Sequence, residues 1–163
     1  MPLNARHFSY IFEVAKLYRL NKYVPARGTR CSGSPMKNCA ADIRLAIVED
    51  DPDMARLLLD MVDCRRECIS VFPLGVALLA SPDLRAFTHL ILDLSLPDID
   101  GFELMEILAP RIPATPIVLI TGHAHAIARA AELYACSIGL QISGVLVKPF
   151  SADMLNAALR IAP

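Results

Sequence analysis

The sequence predicts an α/β fold, a doubly wound parallel sheet built from five βα units. Three observations carry that prediction. Short runs rich in β-branched and other apolar residues recur at Arg44 to Val48, Ile69 to Phe72, His89 to Asp93, Ile117 to Thr121 and Val145 to Lys148, with helix-like segments between them. Four of the runs, RLAIV, HLILD, IVLIT and GVLVK, are almost continuously apolar, as strands are when helices cover both faces of a sheet. Polar side chains gather at the carboxyl ends of the runs: Glu49, Asp50 and Asp51 after the first, Asp93 closing the third, Thr121 the fourth and Lys148 the fifth.

The elements follow in order. Residues 1–41 hold seven Lys or Arg and one Glu, net +6, whereas residues 42–163 hold nine and sixteen acids, net −7, so a basic extension precedes an acidic globular domain. Within the extension Phe8, Ile11, Phe12 and Ala15 recur at helical spacing among basic residues, which predicts an amphipathic helix able to meet an anionic membrane or an acidic partner. PARGTRCSGSP then reads as a linker, and Met36 stands where a natural start would also be sensible. After the first strand, Asp53 opens a helix in which Met54, Leu57, Leu58 and Met61 share a face. Asp100 or Gly101 precedes the helix FELMEILAPRI, and Ser151 is a suitable N-cap for ADMLNAALRIA.

Composition narrows the function classes. With 163 residues, 55% hydrophobic and 20% charged, the chain has material for about one well-filled domain. No apolar run approaches the roughly 20 residues that span a bilayer, and the N-terminus lacks the apolar region and cleavage site of a secretory signal, so the expected compartment is the cytoplasm. Five cysteines, Cys31, Cys39, Cys64, Cys68 and Cys136, lack the Cys-x-x-Cys spacing of a zinc site and read as reduced thiols.

A carboxylate at the end of an apolar strand is costly unless something compensates it. Asp93, in ILDLSLPDIDG, is such a group. In an open parallel sheet the carboxyl ends of the strands share one edge, where ligands bind, so Glu49, Asp50, Asp93, Thr121 and Lys148 should converge. Clustered carboxylates become tolerable when a hard cation joins them, and oxygen ligands favour magnesium. Asp93 is then a candidate nucleophile toward phosphorus, with Lys148 neutralising charge and the Thr121 hydroxyl and the N–H groups near Gly122 available to phosphoryl oxygens. A phosphate-ester hydrolase would need a second positioned acid or base beside Asp93, which the sequence lacks. His89 reads as structural, and His125 as part of a helix start.

IVEDD, ILDLSLPDIDG, VLITGHA and GVLVKPF, in this order and spacing, resemble the receiver domain of two-component response regulators, the CheY-like family, over residues 43–161. The resemblance implies a flavodoxin-like sheet of strand order 2-1-3-4-5. It implies that Glu49 and Asp50 hold Mg2+ directly or through water, that Asp93 is both phosphoacceptor and metal ligand, and that Ser95 lends a backbone carbonyl to the metal. Thr121 resembles the switch hydroxyl and Lys148 the family's lysine; Pro149 resembles the proline whose peptide is commonly cis. Ser95 and His123, each two places after a motif residue, resemble positions that border the phosphoryl group and modulate its lifetime.

The resemblance further implies a phosphoryl donor, a sensor histidine kinase or histidine phosphotransfer protein, and no enzymatic activity beyond self-phosphorylation and self-dephosphorylation. Val145 stands where most members carry an aromatic switch residue, so readout is expected through the loop after Thr121. The long segment between Thr121 and Lys148 resembles receivers that accompany cyclic-di-GMP phosphodiesterases. Because the chain ends at Pro163, the expectation is a stand-alone receiver or phosphorelay intermediate, acting by protein contact or homodimerisation and not on nucleic acid. The alternative is a phosphorylation-independent interaction or dimerisation module.

Overall fold

The computed structural model describes residues 43–159; the basic extension, its proposed helix and Met36 lie outside the described residues. Five strands, β1 (Leu45–Val48), β2 (Ile69–Phe72), β3 (His89–Asp93), β4 (Ile117–Thr121) and β5 (Ile142–Val147), form one sheet. All neighbours are parallel, in the order β2-β1-β3-β4-β5. The helices are α1 (Pro52–Met61), α2 (Gly75–Leu79), α3 (Gly101–Leu108), α4 (His125–Ser137) and α5 (Ala152–Leu159). The expected α/β class and strand order are therefore what the chain adopts.

Strand side chains alternate between two apolar layers. Ala46, Val48, Leu90, Leu92 and Leu119 pack with α2, α3 and α4 residues such as Leu78, Leu104 and Ala131. Leu45, Ile47, Ile91, Val118 and Ile120 pack on the other face with Leu58 of α1 and Leu155 and Leu159 of α5. Burying one such leucine or isoleucine fully contributes about 1.5–3 kcal/mol, so both layers hold the sheet rigidly. That rigidity fixes where each strand end emerges.

Several element bounds differ from the sequence reading, among them the end of the FELMEILAPRI helix, which stops at Leu108. The first helix begins at Pro52, not Asp53, because the Asp51 side chain accepts hydrogen bonds from the Asp53 and Met54 N–H groups. Proline at the first helical position loses no bond there. β1 begins at Leu45, not Arg44. β5 begins three residues before Val145 and ends before Lys148. Ile117 pairs with Ile142 but Val118 pairs with Gly144, leaving Ser143 as an extra residue in a β-bulge. The long segment before Lys148 is thus a thirteen-residue α4, a turn through Gly139 at φ 87°, and this bulged strand. Gly144 lets α5 close on the sheet, since a Cβ there would lie 2.6 Å from that of Ala158.

Candidate functional site

The carboxyl ends of β1, β3, β4 and β5 converge as expected of the crevice. Asp93 closes β3, and the Leu94 N–H continues the ladder to the Ile120 carbonyl at 3.1 Å. Thr121 closes β4, and its carbonyl accepts the Lys148 N–H at 2.9 Å. The Glu49 N–H reaches the Phe72 carbonyl at 3.1 Å. Backbone pairing therefore delivers residues far apart in the chain to one rim.

At that rim Lys148 Nζ lies 2.7 Å from Asp93 Oδ2 and 2.8 Å from Glu49 Oε2. The Ser95 N–H donates to Asp93 Oδ1 at 2.8 Å, so both oxygens of the buried carboxylate have a donor. Glu49 is buried too, and its Oε1 accepts the Asp51 N–H at 3.3 Å. Asp50 is exposed beside them. Glu49, Asp50 and Asp93 each offer an oxygen within 4.8 Å of the others. The Lys148–Pro149 peptide is cis.

Charge does not balance here. Burial pushes the Glu49 carboxyl up, the Lys148 hydrogen bond and charge draw it back, and the Asp93 charge raises it further, leaving it above its ordinary value. Burial disfavours the Lys148 ammonium, yet its bonds to Asp93 and Glu49 outweigh burial and hold its pKa above the usual lysine value. One ammonium faces three carboxylates. An all-oxygen set with excess negative charge and one solvent-facing carboxylate fits a hard divalent cation that keeps part of its water.

Thr121 is fully buried, and its Oγ1 accepts the His123 N–H at 3.0 Å. Oxygen acceptance leaves its own O–H available as a donor. Across the crevice mouth Ser95 Oγ and His123 Nε2 lie 3.3 Å apart. Val145 sits away from this cluster, opposite Leu119 and against the α2–α4 layer. His89 is at the other end of β3, with Nδ1 2.9 Å from Thr88 Oγ1. His125 is the first residue of α4. Asp51, grouped in the sequence with the acidic cluster, is occupied as the α1 cap.

One residue of this region escaped the sequence reading. Asp98, which follows Pro97, is not among the candidate residues, yet its carboxylate accepts the Gly75 and Val76 N–H groups at 3.1 and 2.9 Å. The only sequence signal was indirect: Leu74, immediately before α2, has no side chain that can cap it.

Comparison with known proteins identifies the family of this fold. Residues 45–160 match the family model for the response regulator receiver domain. The transcriptional regulatory protein TcrA of Mycobacterium tuberculosis (strain ATCC 25618 / H37Rv) is 29% identical over 133 residues, which cover 80% of this chain and 51% of that protein. The transcriptional regulatory protein CreB of Escherichia coli (strain K12) is 31% identical over 116 residues, covering 70% and 48%. The chain spans about half the length of these curated relatives. A crystal structure of a response regulator from Colwellia psychrerythraea superposes with a TM-score of 0.62 at 29% identity, covering 73% of this chain and 94% of that one.

Proposed function

The chain belongs to the response regulator receiver domain family of two-component signalling, and on that premise we propose that it accepts a phosphoryl group on Asp93 and passes the signal on by protein contact. Receiver domains are signalling modules that are phosphorylated on aspartate, bind Mg2+ and interact with sensor kinases or phosphotransfer proteins. The observation that carries the proposal is the buried Asp93 carboxylate held between Lys148 Nζ and the Ser95 N–H, 2.7 and 2.8 Å away, beside two further acids.

An Asp93 oxygen attacks phosphorus as the P–N bond of a phosphohistidine on a sensor kinase or phosphotransfer protein breaks; the electron pair stays on the imidazole nitrogen, which takes a proton. Glu49, Asp50, Asp93 and the Ser95 carbonyl would hold the magnesium ion. The ion supplies neutralising charge to the phosphoryl oxygens. Lys148 offsets the remaining charge, and it already sits between Glu49 and Asp93.

The Thr121 O–H would donate to a phosphoryl oxygen, drawing on the loop whose His123 N–H it now accepts. That loop runs through Gly122 and Ala124 straight into α4. With Val145 in the place of an aromatic, α4 is the proposed route of readout to a downstream protein or a second copy of the chain. The Ser95 and His123 side chains border the phosphoryl position and would set its lifetime by ordering or excluding water. The extra length before Lys148 is taken up by α4 and the β5 bulge.

The test is intact mass after incubation with a small-molecule phosphodonor and magnesium. A gain of one phosphoryl group that needs magnesium and is missing in Asp93→Asn supports the proposal. No gain where a known receiver reacts would leave the phosphorylation-independent interaction module. Sedimentation velocity with and without beryllofluoride then separates readout by dimerisation from contact with another protein.

A further inference from the structure

We propose that Asp98 is a positioning residue for the phosphoacceptor, tethering to α2 the loop that carries Ser95. The inference rests on the phosphoacceptor reading of Asp93 for its consequence, but its geometry stands apart from it.

A short helix ordinarily receives its cap from the residue before it. Leu74 holds that position for α2 and offers no side-chain acceptor. The acceptor comes instead from 22 and 23 residues downstream, as the two Asp98 oxygens each take one N–H of the first turn, from Val76 and Gly75. A carboxylate binding two backbone N–H groups with separate oxygens fixes direction as well as distance, and bonds of this charged kind are stronger than neutral ones.

Packing shows how tightly the loop is drawn in. A Cβ on Gly75 would lie 2.5 Å from Ile99 Cγ2 and 2.9 Å from Leu104 Cδ2, so the residue after Asp98 rests directly on the α2 backbone. At the far end of the loop, a Cβ on Gly101 would lie 2.9 Å from the Leu94 carbonyl oxygen. Leu94 itself is bonded to β4 through its N–H. Between these anchors stands Ser95, three residues before Asp98, whose N–H holds Asp93 Oδ1. Asp98 is the polar anchor of the loop on the α2 side, and its loss would free the Ser95 peptide to rotate away from Asp93.

The alternative is that Asp98 only stabilises α2. Leu74→Asp separates the two roles, because it can restore a local cap to α2 without restoring the tether. The full chain would be compared as wild type, Asp98→Ala, Asp98→Asn, and Leu74→Asp combined with Asp98→Ala. The direct readout is the Ser95 amide by NMR. In Asp98→Ala its proton should move upfield and exchange about five- to tenfold faster, as expected when a bond of ordinary strength weakens. The magnesium concentration that half-saturates phosphorylation should rise about tenfold, the effect typical of residues that orient metal ligands.

Asp98→Asn, keeping one acceptor oxygen, should fall between. The double variant should regain the melting temperature but keep the altered Ser95 amide. An unchanged Ser95 amide in Asp98→Ala, measured well below its melting temperature, or full recovery in the double variant, would overturn the proposal. If the wild type takes no phosphoryl group, the amide result still decides the role of Asp98, and the failure falls on the phosphoacceptor reading alone.

Discussion

The two ends of β3 treat polar groups in opposite ways. At the amino end Thr88 Oγ1 accepts the Arg44 N–H at 2.9 Å, donates to the Arg44 carbonyl at 3.2 Å and lies 2.9 Å from His89 Nδ1. The Arg44 guanidinium pairs with Asp83 at 3.6 Å and stands 6.0 Å over the Phe87 ring. Charges there cancel locally, and the groups close on one another. At the carboxyl end three carboxylates share one ammonium. A fold has no need of that excess, because neutral or apolar residues would close the rim at lower electrostatic cost. The unbalanced end is the one whose excess charge a hard cation could offset.

The carboxyl end should respond most strongly through its chemistry. Lys148→Met should lower the rate of phosphoryl incorporation by at least about 100-fold, because charge on the transferring group would lose its fixed counter-charge. With a chelator present the same variant should be less stable by about 2–3 kcal/mol, since Glu49 and Asp93 would be left buried without a cation. Mass spectrometry and urea unfolding measure the two. A rate within a few-fold of wild type would show that the carboxyl end is not the reactive one.

Thr88→Val comes next and concerns the balanced end. The shape is kept while the Arg44 N–H loses its acceptor, so stability should fall by about 1–2 kcal/mol with phosphorylation unchanged. Asp50→Asn should act in the reverse sense. Removing one of three like charges should raise the melting temperature by about 2 °C without metal, while the magnesium needed for phosphorylation increases. Calorimetry on both variants sharpens the contrast. Stability lost at one end and gained at the other is the expected pair of results.

The same contrast explains what the sequence disclosed. Asp93, Thr121 and Lys148 were legible because they close apolar runs at the carboxyl ends, which share one edge of a parallel sheet. The α/β class followed from the runs themselves. Asp98 was hidden because its partners are backbone N–H groups, which have no letter in the sequence. The start of β5 was hidden for a related reason. Ile142, Ser143 and Gly144 combine a bulged residue with a glycine required by Ala158, and both interrupt the apolar run by which a strand is recognised. Asp51 and Asp53 compete for one cap, and which succeeds depends on Pro52 taking the first helical position.

The smallest effect is a pH dependence at each end, acid-side at His89 and alkaline at Lys148. Burial holds the His89 imidazole below its ordinary pKa of 6.5, so the folded chain takes up this proton less readily than the unfolded chain. Between 6.5 and the lower folded value the unfolded state binds more protons, and stability must fall as pH falls through that window, levelling off below it. Lys148 works at the other extreme. Its pKa is raised above 10.5, so its contribution is complete below 10.5 and is lost as pH rises through the folded value. His89→Gln should flatten the acid-side slope and leave the alkaline one, whereas Lys148→Met should flatten the alkaline one. Urea unfolding from pH 5 to 11 in the three proteins measures this, and an acid-side slope unchanged in His89→Gln would mean that the amino end of β3 is not where that proton binds.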